Sequence, residues 1–126
     1  MPWAMPQMKR LGILLAASLC SASAFAADYR CVFESGTSVE TEFPCTPAMV
    51  KQFSKRLIDL YPGLHQINTS PDYLMNLYIF AMAGCIGRFA SLSPEQIGEA
   101  SEPFFPKEMA AAMARVAREV ICPAQQ

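Results

Sequence analysis

A hydroxyl side chain stands directly before a proline at three places in the chain, and this repeated pair constrains the fold more than any other feature. The pairs are Thr46-Pro47, Ser70-Pro71 and Ser93-Pro94. A hydroxyl at the N-cap accepts a hydrogen bond from a free N–H of the first helical turn, and proline at the next position lacks a donor that would have no partner there. The sequence therefore predicts three helix starts, with a capping box where Gln96 follows Ser93.

The apolar spacing and the later prolines give the expected extent of each helix. Four helices are predicted, over residues 47–61, 71–90, 94–100 and 106–122. The last helix carries an apolar set at intervals of four, three and four residues: Met109, Met113, Val116 and Val120. This spacing is that of a buried helix face. Arg115, Arg118 and Glu119 of the same helix are expected to face water.

The second predicted helix is unusual because it carries no charged residue between Tyr73 and Gly87. A helix that is apolar all round is typical of a segment buried on all sides, so we expect it at the centre of the core. Its aromatic and methionine side chains are interpreted as packed core rather than as a cofactor pocket. Gly84 and Gly87 are expected to allow close approach of another helix, in the same subunit or across a dimer.

The first 26 residues have the three parts of a secretory signal peptide. Lys9 and Arg10 form the charged part, residues 11–19 are apolar, and small residues end in an A-x-A site at Ala26. The sequence therefore predicts a mature protein of residues 27–126, a single helical domain with an N-terminal arm over residues 27–45. The apolar run is too short to cross a bilayer and no stop-transfer segment follows it, so cleavage is expected rather than a retained anchor. We therefore expect a periplasmic or secreted protein with no membrane span after cleavage.

Four cysteines remain in the predicted mature chain, an even number in an oxidising compartment, and they predict two disulfides. Their spacings of 14, 40 and 37 residues exclude the closely spaced thiols of a redox motif or an all-cysteine zinc site. Four cysteines allow three pairings. Chain order favours Cys85 with Cys122, because the second and fourth helices would end on the same side, and it leaves Cys31 with Cys45. The expected fold is an all-α, disulfide-linked bundle of about four helices with a short extended N-terminal arm or hairpin.

The residue types that carry catalysis are sparse. His65 is the single histidine and lies in a predicted loop, where an exposed or locally bonded side chain is expected. Glu40 and Glu42 share a face if their segment is extended, but neither lies in the apolar setting that acid catalysis requires. The sequence therefore predicts neither an enzyme nor a cofactor or metal site. A formal net charge of −1 with no basic run also argues against nucleic-acid binding.

The net charge of the predicted mature chain is concentrated in its first segment. Residues 28–45 contain four acidic side chains and one basic side chain, whereas residues 46–126 contain seven of each. A rigid acidic segment can complement a basic cleft on another protein and speed the encounter, so Glu34, Glu40 and Glu42 are the predicted partner-binding residues. The alternative is that these charges only keep an edge segment soluble.

The second helix and the C-terminus resemble those of a family of exported helical proteins. The segments that carry the likeness are residues 73–86, with a cysteine near the end, and Val120-Ile121-Cys122. They look like periplasmic immunity proteins that guard against type VI secretion amidase effectors. This resemblance implies a protein, often a homodimer, that binds a peptidoglycan-cleaving amidase effector and occludes its active site. The alternative function is that of a periplasmic assembly domain or a carrier of a small apolar ligand.

Overall fold

Most of the described chain is helical, and a small β-hairpin precedes the helices. A computed structural model describes residues 29–123. Its elements are β1 (Tyr29–Val32), β2 (Ser38–Thr41), α1 (Pro47–Leu60), α2 (Pro71–Ala81), α3 (Pro94–Ala100) and α4 (Lys107–Val120). The expected four helices are found in this range, but the antiparallel hairpin means that the fold is not purely all-α. The predicted signal peptide, residues 1–26, lies outside the described residues.

Local capping accounts for two of the three predicted helix starts. The Thr46 hydroxyl accepts an N–H of the first turn of α1 at 3.2 Å, and Ser93 and Gln96 form the predicted capping box. At the start of α2, the Ser70 hydroxyl accepts no capping hydrogen bond; instead, the Ser70 N–H donates to the Asn68 side chain at 2.8 Å. The predicted hydroxyl cap is wrong there, because an asparagine side chain directs the turn that leads into α2.

The second helix is shorter than predicted. α2 ends at Ala81 instead of continuing to residue 90, and two 3-10 turns, Met82–Cys85 and Gly87–Ser91, carry the chain onward. Gly87 has a φ of 57°, a left-handed conformation that favours glycine and cannot continue a right-handed helix. The helix therefore cannot reach residue 90, because the backbone is extended at Ile86 and left-handed at Gly87.

The apolar run that contains α2 is not buried on all sides, so this prediction is also wrong. Leu77, Tyr78 and Ala81 are buried, whereas Phe80 is exposed over 59% of its surface and Phe89 over 41%. α1 and α4 pack against α2, and they cover the face that carries the buried residues. No helix within residues 29–123 combines the length and the apolar character that a membrane-spanning segment needs.

α4 is the central packing element, since it contacts α1, α2 and α3. It buries Met109, Met113 and Val116 of the predicted apolar face, and the fourth residue of that face is half-buried. α3 approaches α4 closely at Gly98, where a Cβ would lie 2.4 Å from the Lys107 carbonyl oxygen. A side chain at this position would therefore force the two helices apart.

One predicted solvent-facing side chain of α4 turns inward. Arg118 is half-buried, and its guanidinium donates to the carbonyl oxygens of Phe89 and Leu92 at 3.1 and 2.6 Å. Carbonyl groups at the end of a helical turn lack backbone partners, and a guanidinium carries enough donors to satisfy several of them. Arg118 therefore fastens the second 3-10 turn to α4, whereas Arg115 and Glu119 are exposed as predicted.

Within the described residues, two disulfides tie surface segments to the core. They pair Cys31 with Cys45 and Cys85 with Cys122, which is the pairing that chain order favours. The Cys31–Cys45 bridge joins β1 to the segment before α1. The Cys85–Cys122 bridge joins the 3-10 turn Met82–Cys85 to the end of α4. Three of the four bridged cysteines are buried in the same apolar core, so each disulfide has at least one end there.

Candidate functional site

A groove lies on the surface between the end of α2 and α3. One wall is formed by the end of α2 and the 3-10 turns that follow it, the other by α3 and the turn after it, and α4 forms the floor. The volume of the groove is about 550 Å³. We call it the aromatic groove and define it by its largest lining side chains: Phe80, Phe89, Ile97, Phe104, Phe105 and Met113.

Three phenylalanines of the aromatic groove are exposed to solvent. The exposed fraction is 83% for Phe104, 59% for Phe80 and 41% for Phe89. Phe105 is half-buried and packs edge-to-face against Phe80, with 5.6 Å between the ring centroids. Contiguous exposed aromatic side chains are typical of binding surfaces, because covering them removes a large apolar area from water.

Small residues let the walls of the groove approach its floor. A Cβ on Gly84 would lie 3.8 Å from the Cβ of Ala114, so the first wall packs closely on α4. Because these are ordinary contact distances, an alanine would also fit at Gly84, and the close approach expected to need glycine there stays a prediction. Gly87 has open space around its Cβ position and serves the left-handed turn instead, so its expected packing role is wrong.

The polar groups at the groove are engaged within the protein. Among the described lining residues, Ser101 carries the polar side chain, and its hydroxyl donates to the Ile97 carbonyl oxygen at 2.7 Å. Behind the first wall, Arg118 holds the backbone of Phe89 through the carbonyl contact given above. The groove therefore presents an apolar surface on fixed walls, which suits apolar groups of a partner or ligand.

The three predicted acidic residues lie in different parts of the hairpin arm. Glu34 lies in the hairpin turn, Glu40 lies in β2, and Glu42 follows the end of β2. Glu40 forms an ion pair with Arg30 across the hairpin, at 3.2 Å between Oε1 and Nη2. Glu40 and Glu42 were expected to share a face if their segment is extended. β2 ends at Thr41, so Glu42 lies outside the strand and this condition is not met.

A second depression lies between the hairpin, α1 and the start of α2, with a volume of about 530 Å³. We call it the arm cleft and define it by these lining residues: Val32, Glu34, Val50, Lys51, Asp72 and Met75. Asp72 joins Glu34 there, since its Oδ1 accepts the Glu34 N–H at 2.7 Å. Sequence reasoning missed Asp72, because 38 residues separate the two positions and no local pattern connects them.

Other titratable groups lie outside the aromatic groove and the arm cleft. His65 is exposed in a 3-10 turn after α1. The Arg56 guanidinium donates to Glu119 at 3.0 and 3.1 Å and holds the pKa of that carboxyl below its usual value. Burial raises the pKa of the Tyr78 hydroxyl, which donates to the Pro44 carbonyl oxygen, to about 12. Within residues 29–123, no three His, Cys, Asp or Glu side chains cluster closely enough to hold a metal ion.

Comparison with known proteins adds no relative to this picture. The chain was compared with protein-family models, with curated proteins and with solved structures, and none of them matches it. A functional proposal for this chain therefore depends on its own surfaces and on the resemblance described above.

Proposed function

We propose that this chain is an exported protein-binding domain that acts as an immunity or inhibitor protein, neutralising a cell-wall-degrading effector by occluding its active site. The aromatic groove supports the proposal, because its exposed phenylalanines leave a large apolar area in water. A partner that covers this area gains binding free energy from its burial. The choice of an amidase effector as the partner comes from the resemblance to type VI immunity proteins.

Phe104 is the residue that we expect to contribute most to binding. It lies in the turn after α3, and 83% of the surface of this residue is exposed. Aromatic side chains are frequent hot spots of interfaces, because they bury a large area at a low cost in side-chain entropy. The groove beside the ring can accept an apolar side chain of the partner, so both molecules would bury apolar surface at the same place.

Inhibition of the effector is the direct test. The mature protein, residues 27–126, is titrated into the purified amidase effector encoded beside its gene, and release of soluble peptidoglycan fragments measures effector activity. We expect activity to be lost near equal concentrations of the two proteins. An effector that keeps full activity, with no complex detected by calorimetry, contradicts the proposal, and so does the absence of an effector gene beside this one.

The variant Phe104→Ser tests whether the aromatic groove is the binding surface. Because the side chain is exposed, we expect the fold to be retained and binding of the effector to weaken about tenfold or more. Ile67→Ser is the matched control, since Ile67 is also apolar, is 47% exposed and does not line the groove. Equal affinities of the wild type and Phe104→Ser would place the partner surface elsewhere.

A second candidate function is a periplasmic assembly domain or a carrier of a small apolar ligand. The volume of the groove, about 550 Å³, lies in the range of small-molecule sites, and its lining is apolar. Native mass spectrometry of protein purified from the periplasm distinguishes the two functions. A carrier is expected to show an added mass that organic extraction removes, whereas an inhibitor is expected to show the mass of the mature chain.

A further inference from the structure

We infer that the arm cleft binds a lysine or arginine side chain of a partner protein, with Glu34 and Asp72 as the carboxylates that hold it. These residues come from the hairpin turn and the first turn of α2. The hydrogen bond from the Glu34 N–H to Asp72 Oδ1, at 2.7 Å, holds the two segments together. The inference concerns a second surface and does not depend on what the aromatic groove binds.

The lining of the arm cleft matches the two chemical parts of a basic side chain. Val32 is 59% exposed and lines the cleft together with Val50 and Met75, so apolar surface is available to a methylene stem. The carboxylates of Glu34 and Asp72 are acceptors for the cationic head group. Lysine and arginine side chains cover apolar surface with their stems while their charges stay beside acceptors and water, and the cleft provides both environments.

A metal ion fits the same residues less well. Calcium and magnesium take roughly six or more oxygen ligands, whereas the carboxylates of this cleft stand beside apolar side chains. Asp72 already uses one oxygen as the acceptor of a backbone N–H. In the described part of the chain, no group of three metal-ligating side chains includes either carboxylate. The chemistry of the cleft therefore favours an organic cation.

The balance of charge around the cleft also favours this occupant. Glu40 is paired with Arg30 on the hairpin, whereas Glu34 and Asp72 line the cleft itself. Lys51, from α1, lines it as well and is the positive charge that a basic ligand would meet. Of the charged side chains that line the cleft, two are acidic and one is basic, and this balance complements a cationic side chain.

A capped tripeptide with arginine between two leucines is the probe, and nitrogen-15 NMR of the mature protein follows its binding at low salt. We expect a dissociation constant in the millimolar range, with shifts concentrated in the amides of the cleft and weaker binding as salt is added. The control peptide carries citrulline, which has the shape of arginine without the charge. Equal binding of the two peptides would overturn the inference and indicate an apolar site.

Charge variants test the named residues. Glu34→Gln and Asp72→Asn are each expected to weaken binding of the arginine peptide about two- to fivefold, because each removes one partner of an exposed ion pair. Lys51→Gln is expected to strengthen binding by a similar factor, since it removes a competing positive charge. Glu99→Gln is the matched control: Glu99 is exposed on α3 and does not line the cleft, so the variant removes the same charge elsewhere and is expected to leave the affinity unchanged.

Two results would overturn the assignment to this cleft. If Glu99→Gln weakens binding as much as Glu34→Gln, the peptide is attracted to acidic side chains of the surface in general. If calcium alone produces the same amide shifts and displaces the peptide, the cleft is a metal site. Asp72→Asn changes the first turn of α2 and could unfold the protein. In that case Glu34→Gln and Lys51→Gln decide the outcome, because both residues are exposed and the two variants are expected to change the affinity in opposite directions.

Discussion

The hairpin arm and the groove end of the molecule are each closed by a disulfide, yet they differ in construction. The arm, residues 29–45, is short and mostly exposed, and it enters the core chiefly through Cys31 and Phe43. The groove end consists of helices and tight turns whose buried faces belong to the core, and it exposes aromatic side chains. Exposed charge suits electrostatic attraction of a partner, whereas exposed aromatic surface suits a buried anchor.

The two disulfides therefore have different roles: one holds a weakly packed arm, and the other reinforces helices and turns that already pack together. The arm buries few apolar side chains to offset its loss of chain entropy, so it depends on its disulfide and on two hydrogen bonds to α2. At the groove end, the Cys85–Cys122 bridge joins elements that already pack against each other. We therefore expect damage to the arm to stay local and damage to the groove end to spread through the bundle.

Removal of the disulfide at the groove end is expected to have the largest effect. Cys85→Ala combined with Cys122→Ala opens a loop with a sequence separation of 37 residues, and the loop-entropy relation gives a loss of about 4 kcal/mol in the free energy of unfolding. Because both residues lie in the core, we expect all four helices to be destabilised together. Guanidinium unfolding followed by circular dichroism measures the loss, and an unchanged midpoint would contradict it.

Removal of the arm disulfide tests the contrast between the two regions. Cys31→Ala combined with Cys45→Ala opens a loop with a separation of 14 residues, for which the same relation gives about 3 kcal/mol. We expect amide hydrogen exchange to become faster in β1 and β2 while α4 keeps its protection, because the arm can open without the bundle. Equal loss of protection along the whole chain would show that arm and bundle form one cooperative unit.

The contact between α3 and α4 is expected to give the next largest effect. In Gly98→Ala, the new Cβ would lie 2.4 Å from the Lys107 carbonyl oxygen, a backbone atom that cannot rotate away. Overpacking of this kind costs about 1 to 3 kcal/mol, which exceeds the gain in helix propensity from alanine. Thermal unfolding is expected to show a lower Tm. Gly63→Ala is the control, since the nearest atom to its Cβ would be 3.5 Å away, and equal Tm values would contradict the prediction.

A hydrogen bond from Tyr78 to the Pro44 carbonyl oxygen fastens the arm to the core. Tyr78→Phe is expected to lower the free energy of unfolding by about 1 kcal/mol, because that carbonyl loses its donor. Burial raises the pKa of Tyr78 from 10.0 to about 12, so its contribution is complete below pH 10.0 and is lost as the pH rises toward 12. Urea unfolding should show the difference between wild type and variant shrinking over that range; a constant difference would contradict this account.

Local signals were enough to predict where the helices begin, but not where the second one ends. Thr46 and Ser93 cap helices through residues three positions away, so the signal and its effect lie in the same short segment. After α2, the chain follows a left-handed conformation at Gly87 and a turn that Arg118 holds through the Phe89 carbonyl oxygen, across a separation of 29 residues. A sequence pattern does not report a contact of that kind.

The aromatic groove was less predictable than the helices, for a related reason. Phe80 and Phe89 belong to an apolar run, and helical spacing interprets aromatic residues in such a run as core. Their exposure depends on which neighbouring elements cover them, and that is decided by tertiary packing. Phe104 offered a better signal, because it lies in a short segment between Pro103 and Pro106, outside every predicted helix.

The smallest expected effect compares one ion pair from each region. Glu40→Gln removes the partner of Arg30 in the hairpin, and exposed pairs of this kind contribute only about 0.5 kcal/mol because water and salt screen them. Glu119→Gln removes the partner of Arg56, which joins α1 to α4 through two hydrogen bonds, so a larger loss in the free energy of unfolding is expected.

Because Arg56 lowers the pKa of Glu119, the contribution of this ion pair is present at neutral pH and is lost as the pH falls through the lowered pKa. Urea unfolding at neutral and acidic pH measures both variants, and a greater loss in the hairpin variant would make the arm the better anchored region.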